Sequence, residues 1–167
     1  TEDLKQKVPD SLKKLIYDNG GFSVVSHRIN LGGVYVALSL RCKRDIETVE
    51  LNKKVQIGGN LYSFDIFIPN GIERLNIPKF SFIELKERLI TDSIFRVKSL
   101  AERFSESHPG GRYFLLYKEL GDVNASTVKT TTKNKLFEVI QIDEFLLKVE
   151  KTAKQHDALI YQERDWK

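Results

Sequence analysis

Hydrophobic positions along this chain first follow a helical period, then an alternating one, then a helical one again. Pro9, Asp10 and Ser11 precede apolar Leu12, Leu15 and Ile16, and Gly20-Gly21 follows. That pattern predicts a short capped helix over 10–18, stopped by glycine. From Gly21 to Lys86, runs rich in Val, Ile, Phe and Tyr predict strands near 22–29, 33–42, 47–57, 61–68 and 79–86. Gly32-Gly33, Gly58-Gly59 and Asn70-Gly71 fall between runs, so antiparallel hairpins are the expected connections.

Asp92 or Ser93 is then placed to cap a helix over 92–106, whose Ile94, Phe95, Val97, Leu100, Ala101 and Phe104 are spaced to bury one face before Pro109-Gly110-Gly111. Residues 112–120 contain the unbroken apolar run Tyr113 to Tyr117, as expected of a central strand covered on both faces in the parallel part of a sheet. A polar Thr/Lys-rich loop over 121–135 follows. A strand over 136–142 and a helix over 143–155, with Phe145, Leu146 and Val149 inward, complete the pattern. The order predicts one mixed α/β (α+β) domain, a mixed central sheet flanked by helices, rather than a regular doubly wound alternation. Its core is expected over 10–120, with the strand and helix of 136–155 added.

Composition narrows the class. At 167 residues with 41% hydrophobic positions, 10 Phe and 6 Tyr, the chain can bury a core and does not read as disordered. Cys42 is the single cysteine, which excludes an internal disulfide or a cysteine-built metal site and predicts a small buried role for that residue. Apolar runs fall short of the roughly 20 residues a membrane helix needs, and residues 1–20 lack a signal-peptide core, so a cytoplasmic location is expected. The formal charge of +4 favours a polyanionic partner only mildly.

Chemistry enters through a carboxylate-x-lysine triplet. It occurs at Asp3-Leu4-Lys5, Glu84-Leu85-Lys86 and Asp165-Trp166-Lys167, but only the middle copy ends an apolar strand, Phe80 to Ile83. Alternation puts Glu84 and Lys86 on one face of that strand. The preceding strand carries one charge, Asp65, inside a run from Tyr62 to Ile68, where a carboxylate needs a partner or a cation. A hairpin would bring Asp65 and Glu84 together.

In these residues the chain resembles the PD-(D/E)XK nuclease superfamily, with an acid on one strand, D/E-x-K on the next, then a helix and a further strand. The resemblance covers about residues 10–120. It implies a restriction-endonuclease-like fold in which Asp65, Glu84 and the Leu85 carbonyl hold Mg²⁺ (or Mn²⁺), while Lys86 orients and helps deprotonate the attacking water. Two hard carboxylate donors suit such a cation. The implied activity is DNA phosphodiester hydrolysis of a restriction or defence type, on double-stranded DNA, by a homodimer or with a fused or partner recognition subunit. Phe64 stands where the motif-naming proline would be. The glutamate that many members carry in the first helix is missing, with Asp10 and Asp18 only at the ends of 10–18. The long stretch before Asp65 implies an inserted hairpin.

Arg96, Lys98 and Arg103 on the following helix are candidate phosphate contacts, and Lys129, Lys133 and Lys135 in the Thr-rich loop could clamp a duplex. Each set also suits an ordinary solvated surface. A Holliday junction resolvase is the rival enzyme. A cap-snatching RNA endonuclease would need a histidine ahead of the acids, for which His27 is the candidate. A non-catalytic nucleic-acid-binding or assembly module, with Asp65, Glu84 and Lys86 as a cross-strand salt-bridge cluster, is the alternative from another class. His27, His108 and His156 lack metal-ligand spacing, and the paired glycines form no nucleotide-binding loop.

Overall fold

The computed structural model describes residues 30–35, 37–38, 49–57, 59–124, 126–128 and 136–165. Among them five strands form one mixed sheet in the order β1 (Glu50–Ile57), β2 (Asn60–Ile68), β3 (Ser81–Leu89), β4 (Tyr113–Leu120), β5 (Phe137–Gln141). The first three are an antiparallel meander, while β3, β4 and β5 run parallel. Mixed α/β architecture with a helix-flanked mixed sheet is therefore the fold. The helical residues 30–35 and 37–38 are termed α1, Thr91–Ser107 α2 and Ile142–Asp165 α3. No helix among the described residues is long and apolar enough to cross a membrane.

The apolar pattern explains the layering. Leu31, Val34 and Leu38 of α1 share one buried cluster with Ile83 and Leu85 of β3, Phe114 and Leu116 of β4, and Phe145 and Val149 of α3. On the other face, Ile94, Val97, Ala101 and Phe104 of α2 pack against Phe82, Tyr113, Leu115 and Val139. β4 lies between two parallel neighbours and is buried from Tyr113 to Leu116, as its unbroken apolar run requires. Phe104 is the hub of the α2 layer, with ring centroids 5.7 Å from Phe64, 5.8 Å from Phe82 and 5.4 Å from Tyr113. Burying each such ring contributes about 1.5–3 kcal/mol before ordering costs.

Several expectations need correcting. Residues 33–35 and 37–38 are helical rather than part of a strand over 33–42. Leu31, Val34, Tyr35 and Leu38 recur at i, i+3, i+4 and i+7, a helical stripe that the β-branched and aromatic content of the run conceals. α2 begins at Thr91 after Ile90, with no side-chain cap from Asp92 or Ser93. Instead Asp122, beyond β4, accepts the Thr91 amide at 2.8 Å and fixes where the helix starts. α3 runs to Asp165 rather than stopping at 155, since neither glycine nor proline interrupts 143–165. The predicted helix over 10–18 and strand over 22–29 lie outside the described residues.

The turn leaving β2 is tightly specified. Gly71 sits at φ +69, and a Cβ there would collide with the Ile77 carbonyl, so only glycine fits. This turn returns the chain to Ser81 and sets the register that brings Ile66 opposite Ile83.

Candidate functional site

Asp65 and Glu84 meet where the sheet opens. The β2–β3 ladder pairs Ile68 with Ser81, Phe67 with Phe82 and Ile66 with Ile83, and ends there. The next pair in that register would be Asp65 and Glu84. Beyond this fork β3 continues on β4, with Glu84 opposite Leu115 and Lys86 opposite Tyr117, while β2 continues on β1. Side-chain alternation slips at the same place. Phe64 and Phe67, three apart, both lie in the α2 layer, whereas Ile66 and Ile68 lie in the other.

Strands that part leave amides without ladder partners, and the two carboxylates supply them. Leu85 donates its backbone N–H to Asp65 Oδ2 at 2.8 Å, and Asp65 donates its own to Glu84 Oε1 at 3.3 Å. Each acid is thus held by the other's strand, with one oxygen engaged. No lysine or arginine among the described residues lies within 4.0 Å of either carboxylate, so the cross-strand salt-bridge cluster does not form there. Lys86 shares the face of Glu84, as alternation predicts, without pairing with it.

The electrostatics follow from burial. Desolvation, reinforced by the neighbouring Asp65 charge, pushes the Glu84 carboxyl up from 4.5 to about 8, against the opposing pull of the Asp65 amide, Lys86 and Arg96. A half-buried carboxyl beside a second acid is an environment short of positive charge. A hard divalent cation, which takes oxygen ligands and keeps waters, matches this donor set. No group of three or more His, Cys, Asp and Glu side chains that could hold a metal ion occurs among the described residues, where Asp65 and Glu84 stand as a pair. Leu85 itself buries its side chain on the α1/α3 face.

Beside the fork, between β2 and α2, lies an open cavity of about 450 Å³, bounded by Glu84, Tyr62, Ser63, Arg96, Leu100 and Arg103. Arg96, Leu100 and Arg103 stand at i, i+4 and i+7 on one stripe of α2. Arg103 donates from Nη1 to the Tyr62 hydroxyl at 3.1 Å, which ties the helix to the β1–β2 ribbon. Lys98, two residues from both Arg96 and Leu100, does not line this cavity. Lys129, Lys133 and Lys135, like His27, Asp10 and Asp18, lie outside the described residues. His108 is ring-stacked on Phe80 at 4.5 Å and sits against Phe104.

Two features escaped the sequence reading. Tyr62, noted in the sequence only as part of the run around Asp65, turns its hydroxyl to Arg103 of α2. Glu138, a lone charge in strand β5, gives the same signal that singled out Asp65. It accepts from Arg112 Nη2 at 2.7 Å and Lys148 Nζ at 2.9 Å, beside a smaller cavity of about 130 Å³ on the opposite face. Burial raises its pKa, yet the hydrogen bonds from Lys148 and Arg112 outweigh burial and leave it below the usual value. That acid is neutralised by its partners, whereas Asp65 and Glu84 are not. Comparison of the chain with family models, with curated proteins and with solved structures returned no match in any of the three.

Proposed function

We propose that this domain is a divalent-metal-dependent nuclease that hydrolyses DNA phosphodiester bonds at the Asp65–Glu84 fork. One observation carries the reading: two carboxylates are held side by side, Asp65 by the Leu85 amide and Glu84 by the Asp65 amide, with no basic side chain among the described residues within ion-pair distance. Setting two half-buried carboxyls side by side is costly unless one holds a proton or a cation joins them. The order of elements supports the resemblance to the PD-(D/E)XK nucleases, since the acid lies on β2, Glu84-Leu85-Lys86 on β3, and α2 and the parallel strand β4 follow.

Asp65 and Glu84 would hold Mg²⁺ or Mn²⁺, with the Leu85 carbonyl as a further ligand. When bound, such an ion acidifies water and offsets charge building on the phosphate. Lys86, two residues along the same face, would hold the attacking water and take up part of that charge. Water oxygen bonds to phosphorus, the ester P–O bond breaks, and the departing oxygen is protonated from solvent. The partner is double-stranded DNA, cut by a homodimer or with a recognition subunit, in a restriction or defence role.

A second reading is a non-catalytic nucleic-acid-binding module. It is favoured by the lack, among the described residues, of any group of three or more His, Cys, Asp and Glu side chains that could hold a metal ion. Nicking of supercoiled plasmid with Mg²⁺ or Mn²⁺ decides between them. Activity abolished by EDTA and by Asp65→Asn, Glu84→Gln and Lys86→Ala establishes the nuclease. A wild type that binds DNA but never nicks it, with binding indifferent to these substitutions, establishes the module.

A further inference from the structure

The cavity beside the fork has a size and a lining that the nuclease reading does not itself require. Ligand-binding cavities run from about 300 to 1,000 Å³, and this one, at about 450 Å³, falls in the lower half of that range. A duplex, whose major groove alone is about 12 Å wide, can lie across such a cavity but cannot enter it. One unpaired nucleotide can.

The lining sorts into the parts of a nucleotide. Arg96 and Arg103, both exposed, stand about two helical turns apart, one on either side of Leu100, and guanidinium groups are suited to phosphate. Ser63 adds a hydroxyl on the opposite wall. The half-buried Tyr62 ring and Leu100 provide apolar surface of the kind on which a base stacks, and the bond from Arg103 holds Tyr62 in place. Two guanidinium groups face a single carboxyl, Glu84, so the cavity is net cationic except at its junction with the fork. That junction is where a backbone phosphate entering from the cavity would reach the two acids.

We propose that the cavity between α2 and β2 binds one unpaired nucleotide, so that the site engages its double-stranded DNA at a single-stranded segment, frayed end or extruded base. The proposal rests on the nuclease reading for the position of the cut, but not for binding. Arg96 and Arg103 hold the phosphates flanking that nucleotide, and Tyr62 supports its base.

Fluorescence anisotropy in EDTA, at one fixed salt concentration, compares a short single-stranded DNA with its blunt duplex. The strand is expected to bind about 10-fold more tightly, the scale of one stacked base. Arg96→Gln and Arg103→Gln should each weaken strand binding several-fold. Tyr62→Ala should do the same, and Tyr62→Phe, which keeps the ring, should cost less. Equal or tighter binding of the duplex overturns the proposal, as does strand binding unchanged in folded Arg96→Gln and Arg103→Gln proteins. Strand binding intact in a protein that never nicks plasmid sinks the nuclease reading and leaves the cavity assignment standing. Metal-dependent nicking with cavity variants as active and as tightly bound as wild type does the reverse.

Discussion

Leu85, two residues beyond the last β2–β3 ladder pair, donates its amide at 2.8 Å to Oδ2 of Asp65, one residue beyond that pair. Asp65 therefore has a structural role as a backbone acceptor and a proposed chemical role as a ligand, and two substitutions separate them. Asp65→Ala removes the acceptor and strands a half-buried amide, with an expected loss of about 1–3 kcal/mol in unfolding free energy. Asp65→Asn keeps a carbonyl oxygen for that amide and should unfold within about 1 kcal/mol of wild type, while metal-dependent nicking drops by about 10²-fold or more. Urea unfolding and plasmid nicking on the same preparations test both halves. An asparagine variant that nicks normally removes Asp65 from the chemistry.

Glu84 makes the stability of the metal-free protein depend on pH. Its folded pKa of about 8 lies above the ordinary 4.5, so the native state holds a proton that the unfolded chain releases. Native stability is highest below about pH 4.5 on this account and is lost progressively as pH rises toward about 8. Glu84→Gln abolishes that loss. In EDTA the variant should melt several degrees above wild type near pH 8, and the gap should close near pH 5. Millimolar Mg²⁺ or Mn²⁺ should raise the melting temperature of wild type near pH 8 and leave Glu84→Gln nearly unmoved. A variant less stable than wild type near pH 8 would mean that the carboxylate is stabilised by its surroundings.

Glu138 shows the opposite linkage. Its carboxyl is held below the usual range by Lys148 and Arg112, so the stability it contributes is present above the ordinary carboxylate pKa and lost as pH falls through the lowered one. Arg112 Nε is buried without a partner of its own, which makes Glu138 its main compensation. Glu138→Gln should cost about 2–3 kcal/mol at neutral pH, less than a fully buried pair because Lys148 is largely exposed. The cost should shrink as both proteins are titrated below about pH 4. A pH-independent difference in urea midpoint would show that packing, not charge, is at stake.

The hairpin and its acids were legible in sequence because a single charge inside a strongly apolar strand is a rare event with few explanations. Asp65 and Glu84 each interrupt such a run, and alternation then sets Glu84 and Lys86 on one face. The fork itself was not legible. Where β2 leaves β3 depends on how β1 and β4 compete for the two strands, and that is a property of the whole sheet. Val34 to Leu38 misled because β-branched and aromatic residues favour strands, while the i, i+3, i+7 spacing of Leu31, Val34 and Leu38 asked for a helix. The cavity was half legible. Arg96 and Arg103 announce a basic stripe, but only the packed structure shows Tyr62 opposite them and Lys98 turned away.

The cavity stands or falls with the seating of α2, and Phe104 is the residue that seats it. The ring is fully buried and meets Phe64, Phe67, Phe82 and Tyr113, so that β2, β3 and β4 all converge on one side chain of α2. Phe104→Ala empties most of that volume at the centre of a rigid aromatic cluster and should cost about 3–5 kcal/mol. Phe104→Leu refills part of it and should cost roughly half as much. Arg103 precedes Phe104, and its bond to Tyr62 depends on helix and ribbon keeping their spacing. Strand binding should therefore weaken in folded Phe104→Leu protein although the substitution touches neither arginine. Urea unfolding gives the first quantity and anisotropy the second. A loss below about 1 kcal/mol on Phe104→Ala would show that α2 is not anchored through this ring.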